Sequence, residues 1–177
     1  VDHIFFILLL IFSPFFAGQV QATGHWRTPV WSLVKLATAF TVAHSLTLAL
    51  ATYKVFFLPM GLVELLVIFS IIFMGMHNLL RFDIKREWLI VFAFGLFHGY
   101  GFSAGLRNLG LSREHLVLPL VSFNLGVELG QILIIGIVFG PLYILARRWD
   151  KTPVLIRYAT MLITLIASLW LLEKFSK

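Results

Sequence analysis

The chain has 177 residues, 60% hydrophobic and 12% charged, with a mean hydropathy of +0.96, a balance that excludes an ordinary soluble domain and places the chain in the membrane class. The formal charge of +6 lies in short basic clusters between apolar blocks, where membrane topology and anionic lipid account for it, so nucleic acid is excluded as a partner. No cysteine is present, which excludes disulfides, thiolate metal sites and cysteine nucleophiles.

A crossing needs about 20 apolar residues, so this length allows roughly six crossings with short loops and no second, soluble domain. The expected fold is an all-α polytopic bundle, a single transmembrane domain over residues 1–177. The apolar blocks predict helices at 2–20, 31–52, 60–80, 88–106, 115–145 and 154–173.

The first block begins at once after Val1, which is not a methionine, so the sequence is expected to lack its natural start. Residues 4–17, followed by Val20-Gln21-Ala22, resemble a signal peptide with a small-residue cleavage site. Asp2 and His3 stand where a basic leader would be, which favours a genuine first helix. The second block holds Pro29 near its start and a polar set of Thr38, Thr41, His44, Ser45 and Thr47. Hydroxyls bond back to their own helix, so His44 is the member that demands a tertiary partner.

Pro59 opens the third block, and Glu64 lies about 8 Å inside its end at 1.5 Å per residue. His77-Asn78 closes it beside Arg81, at headgroup depth, where a histidine needs no special account. The fourth block sets Gly95, Gly99, Gly101 and Gly105 around His98, which suits a tight helix contact or a narrow passage. Its Gly101-Phe102-Ser103-Ala104-Gly105 matches a serine-hydrolase elbow but lacks the strand-turn-helix context that the elbow requires.

In the fifth block Asn124, Glu128 and Gln131 fall at i, i+4 and i+7, a single polar stripe, with Gly126 and Gly130 as a packing device beside it. Gly140-Pro141 predicts a kink or an early end there. Pro153 opens the sixth block, and the five tryptophans lie near block ends, as interfacial aromatics do. His25 and His115 fall in or near loops and are expected to be solvated.

Lys and Arg are concentrated in connections 1–2, 3–4 and 5–6 and their flanks, at Arg27, Lys35, Arg81, Lys85, Arg86, Arg147, Arg148, Lys151 and Arg157. The other side holds Lys54, Arg107, Arg113, Lys174 and Lys177, so the positive-inside rule puts both termini outside.

Six ionisable residues lie within or at the edge of apolar blocks: Asp2, His3, His44, Glu64, His98 and Glu128. A charge at a helix centre costs about 2.5–3.5 kcal/mol, so such residues face the bundle interior and a partner. With the topology above, all six are expected to converge on one cavity in the outer half of the membrane. Three acids with no base deep in any helix require protons, protonated histidine or a bound cation as compensation. Imidazole nitrogens with carboxylate oxygens suit nickel, cobalt, zinc, manganese or iron, and the lack of Cys disfavours Cu(I). The plain alternative is that Glu64 and Glu128 are protonated and serve as interhelical hydrogen-bond glue.

Taken together, the motifs resemble the HupE/UreJ family in its second, broader branch, across essentially the whole chain. They are Asp2-His3 opening the first helix, Ala43-His44-Ser45-Leu46-Thr47-Leu48, Val63-Glu64, Phe97-His98-Gly99-Tyr100-Gly101-Phe102, and Asn124-Leu125-Gly126-Val127-Glu128-Leu129-Gly130-Gln131. The resemblance implies a small multi-pass protein of the bacterial inner membrane, associated with hydrogenase or urease gene sets and regarded as a nickel permease. Asp2 and His3 match the family's Asp-His motif. A second histidine that the family carries shortly after the position of His98 has no counterpart in Gly99 to Ser103.

The expectation is a permease, not an enzyme, for a divalent transition metal, nickel or cobalt first. Asp2, His3, His44, Glu64, His98 and Glu128 form its pathway, and Asn124 and Gln131 support the ligands by hydrogen bonds. The metal is cargo, no tightly bound cofactor is expected, and without an ATP-binding motif movement is facilitated or driven by the membrane potential. The lipid bilayer is the expected environment. The alternative of a different class is a non-catalytic accessory or assembly subunit of a larger membrane complex, its outer faces against partner proteins or a second copy. An intramembrane enzyme is a third reading.

Overall fold

The computed structural model describes residues 2–16, 20, 25–81, 84–108 and 117–176, and the side chains of all of these except 104–108. The expected first-helix residues 17–19, the connection holding Arg113 and His115, and Lys177 lie outside the described residues. The described chain is all-helical: α1 (Asp2–Phe16), α2 (Arg27–Thr52), α3 (Met60–Leu80), α4 (Glu87–Asn108), α5 (Val117–Arg148) and α6 (Thr152–Phe175). Of these, α2, α3, α5 and α6 are long and apolar enough to cross a membrane. Helix α1 is apolar but has 15 residues, about 22 Å of helix.

Composition explains where α1 goes. It is apolar on nearly every side, so it needs lipid or other helices around it, and here other helices supply the cover. Phe6, Ile7 and the run from Leu9 to Phe15 are buried, and α1 packs on α2, α3, α5 and α6. Asn78, near the end of α3, is fully buried and donates from Nδ2 to the Leu9 carbonyl at 2.7 Å.

Two expectations about helix ends are corrected. Helix α2 begins at Arg27 rather than 31, its first turn closed by the Val30 amide on the Trp26 carbonyl, with Pro29 early enough for its missing N–H to cost nothing. Helix α5 does not end at Gly140-Pro141 but continues to Arg148. A proline removes one hydrogen bond, and the turns on either side carry the helix through.

Among the described residues the most extensive helix contact joins α2 to α4. A Cβ on Gly95 would lie 2.6 Å from the Phe40 carbonyl oxygen, and one on Gly99 would lie 2.2 Å from that of His44. Only bare backbone fits, and this seam sets His44 and His98 at one depth. A second close approach, Gly75 against Thr164, joins α3 to α6. Helix α5 is the least covered, with Leu120, Gln131, Ile135 and Phe139 as its buried residues.

Candidate functional site

The start of α1, the start of α3, the second half of α4 and the end of α6 enclose a cavity of about 690 Å³. Its walls carry Asp2, His3, Glu64, His98, Glu173 and Lys174 among apolar residues that include Val67 and Trp170. Four of the six expected pathway residues therefore share one cavity. His44 lies behind its floor, against His3, and Glu128 does not line it.

At the floor three imidazoles meet. The His3 ring lies 4.5 Å from that of His98 and 5.4 Å from that of His44, centroid to centroid, both edge to face. His44 and His98 are fully buried, and Phe6, Phe40, Phe102 and Phe123 pack around the group. His3 is half-buried at the cavity floor, with its Nε2 covered by protein atoms.

One assignment of the protons follows when the Ser70 hydroxyl bonds back to its own helix. Ser70 Oγ donates its single hydrogen to the Val67 carbonyl at 2.7 Å, so toward His98 Nε2, at 2.9 Å, it can only accept. In the neutral ring His98 Nε2 then bears the hydrogen and Nδ1 the lone pair. That Nδ1 faces His3 Nδ1 at 3.5 Å, so His3 donates from Nδ1 and keeps its lone pair on Nε2. Asn124 donates from Nδ2 to the Leu120 carbonyl at 2.9 Å, leaving Oδ1 as acceptor for His44 Nδ1 at 3.4 Å. His44 thereby also keeps its lone pair on Nε2. Both of these atoms, His3 Nε2 and His44 Nε2, are buried without a hydrogen-bond partner. A buried imidazole lone pair with nothing to accept from is a ligand position for a cation.

The polar stripe of α5 joins α2. Gln131 is buried and accepts through Oε1 from Thr41 Oγ1 at 2.9 Å, while Asn124 holds His44. Glu128, between them on the stripe, is half-buried and makes no hydrogen bond or ion pair among the described residues.

Glu64 corrects the expectation of three buried acids without a base. Its side chain is 45% exposed at the cavity mouth, and Lys174 Nζ donates to its Oε2. The sequence hid this partner because Lys174 comes 110 positions later, at the end of α6, where it counted only toward topology. Among the described residues no three of the His, Asp and Glu side chains are grouped to hold one metal ion. Ser103 of the hydrolase-like motif is buried, and its hydroxyl has no hydrogen-bond partner. Ser70 is the site residue that sequence reasoning missed; a lone hydroxyl inside an apolar helix is ordinarily satisfied by its own backbone, so it gave no signal.

Four membrane-length apolar helices around a buried polar floor define a multi-pass membrane protein, with lipid as its surroundings. The HupE/UreJ protein family matches residues 1–174, and the chain belongs to that family. HupE/UreJ is a transporter-type family linked to nickel and cobalt transport, and membership supports a metal-transport role. Comparison with curated proteins and with solved structures gives no match.

Proposed function

We propose that the chain is a permease for a divalent transition-metal cation, nickel or cobalt first, with six spans and both termini on the outer side of the bacterial inner membrane. The cation is drawn into the cavity by Asp2 and Glu64 and taken up by the imidazole of His3, which His98 holds by the hydrogen bond between their Nδ1 atoms. It passes to His44 and then to the stripe of Glu128, with Asn124 and Gln131 holding the ligands in place. The observation that carries the reading is the pair of buried, unpartnered imidazole nitrogens, His3 Nε2 and His44 Nε2. Nitrogen with carboxylate oxygen is the donor set of borderline divalent metals. Stations of one or two such donors in sequence hold an ion loosely enough to release it, as transit demands.

The test is uptake of labelled nickel or cobalt into proteoliposomes, comparing the wild type with His44→Ala, His98→Ala and Glu128→Gln. Each histidine variant should lose about tenfold or more in uptake at sub-saturating metal, by analogy with losses at other metal sites. Uptake indifferent to all three changes would overturn the site assignment. The accessory-subunit reading is favoured by one observation: Gly126, Gly130, Gly136 and Gly140 on α5 have open space where a Cβ would sit. A protein that purifies only with a stoichiometric partner, and shows no uptake alone, would establish that reading instead.

A further inference from the structure

At the end of the bundle opposite the metal cavity, α1, α3 and α6 leave a cleft of about 130 Å³. Its lining is Phe15, Phe16, Leu79, Pro153, Val154 and Ile156, together with two arginines, Arg81 and Arg157. Among the described residues no carboxylate lines it, and neither guanidinium makes a hydrogen bond or ion pair. Two cations beside one apolar cleft repel each other unless an anion lies between them.

The backbone adds an independent observation. Arg81 caps α3 in the left-handed conformation, at φ 56° and ψ 51°, the position where helices ordinarily use glycine. An L side chain there carries a conformational cost that glycine would not. Lys54 is the other non-glycine residue with positive φ among those described, and it lies at the opposite end of the bundle. The cost at Arg81 places a guanidinium at the cleft.

We propose that this cleft binds the phosphodiester headgroup of an anionic phospholipid. Guanidinium forks match phosphate oxygens in pairs, which a single ammonium does not do. The volume is too small for a drug-sized ligand but admits a phosphate group, and exposed Val154 beside half-buried Phe16 gives acyl chains an apolar wall. The surrounding end of the bundle carries Lys85, Arg86, Arg148 and Lys151, which concentrates anionic lipid near the cleft. The proposal does not depend on metal transport, so the two readings can fail separately.

The experiment is native mass spectrometry of the full chain with phosphatidylglycerol or with phosphatidylcholine of the same acyl chains, paired with thermal unfolding in detergent. The wild type should retain phosphatidylglycerol several-fold better than phosphatidylcholine and should melt higher in its presence. Millimolar inorganic phosphate should not displace the lipid. Arg81→Gly removes the guanidinium while relieving the backbone, so in lipid-free detergent it should melt no lower than wild type yet lose the phosphatidylglycerol-dependent rise. Arg157→Gln should lose the same rise, whereas Arg148→Gln, outside the cleft, should keep it. Equal retention of the two lipids, or a full lipid response in both Arg81→Gly and Arg157→Gln, would overturn the proposal. Displacement by inorganic phosphate would reassign the cleft to free phosphate.

Discussion

A serine hydroxyl has one hydrogen, and at Ser70 that hydrogen is committed to the Val67 carbonyl. Everything at the cavity floor follows from this: the His98 tautomer, the direction of the His3–His98 hydrogen bond, and the nitrogen left bare on His3. Ser70 is thus a positioning residue that acts through His98. In Ser70→Ala the acceptor is gone, His98 is free to shift its proton to Nδ1, and the lone pair no longer faces His3. The lost hydrogen bond should cost about 1 kcal/mol of stability, too little to unfold the bundle. Ring-nitrogen NMR of metal-free protein should show His98 as the Nε2–H tautomer in wild type and in Ser70→Thr, and as a mixture or as Nδ1–H in Ser70→Ala. Half-saturating metal should rise about tenfold in the alanine variant and recover in the threonine one. An unchanged tautomer in Ser70→Ala would remove Ser70 from the site.

Helices, rather than single side chains, bring His44 and His98 to one depth, and the device is the glycine seam between α2 and α4. A methyl group on Gly99 would strike backbone, which cannot swing aside, so Gly99→Ala should destabilise by about 1–3 kcal/mol and reduce uptake by parting the imidazoles. Gly101 provides the contrast: a Cβ there would meet Val63 Cγ1 at 3.7 Å, an ordinary contact, so Gly101→Ala should fold and melt close to wild type. Thermal unfolding of the two variants in one detergent checks both expectations. If Gly99→Ala melted as high as Gly101→Ala, the seam would not hold the two helices in register. At this scale the sequence was informative about elements and silent about neighbours. Hydropathy located all six helices to within a few residues at the ends described, because apolar content is a property of each segment alone. It could not say that Gly95 and Gly99, rather than Gly101, face α2, nor that α1 lies at the centre, because adjacency depends on side-chain shape across segments far apart in sequence. The histidines announced themselves as polar residues in apolar surroundings. Lys174 and Ser70 did not, since a basic helix end and a lone hydroxyl are each unremarkable locally.

For the whole molecule, the decisive asymmetry is electrical. Arg27, Lys35, Arg81, Lys85, Arg86, Arg147, Arg148, Lys151 and Arg157 gather toward one end of the bundle, against Lys54, Arg107 and Lys174 toward the other among the described residues. The cavity opens at the less basic end, beside Asp2, Glu64 and Glu173. The proposed orientation turns that end outward, where the acids would meet an arriving cation and the membrane potential would favour its passage inward. Because the chain has no cysteine, a single introduced thiol reports sidedness without interference. Ser176, just beyond the end of α6, and Asp150, just before its start, are both exposed, and that one helix separates them. In intact cells Ser176→Cys should react with a membrane-impermeant maleimide, whereas Asp150→Cys should react only after the membrane is opened. The reverse pattern would turn the molecule over and make the cavity an inner vestibule, and the direction of passage would reverse with it. Labelling of both from outside would mean that α6 does not cross the membrane, and the six-span arrangement would fall.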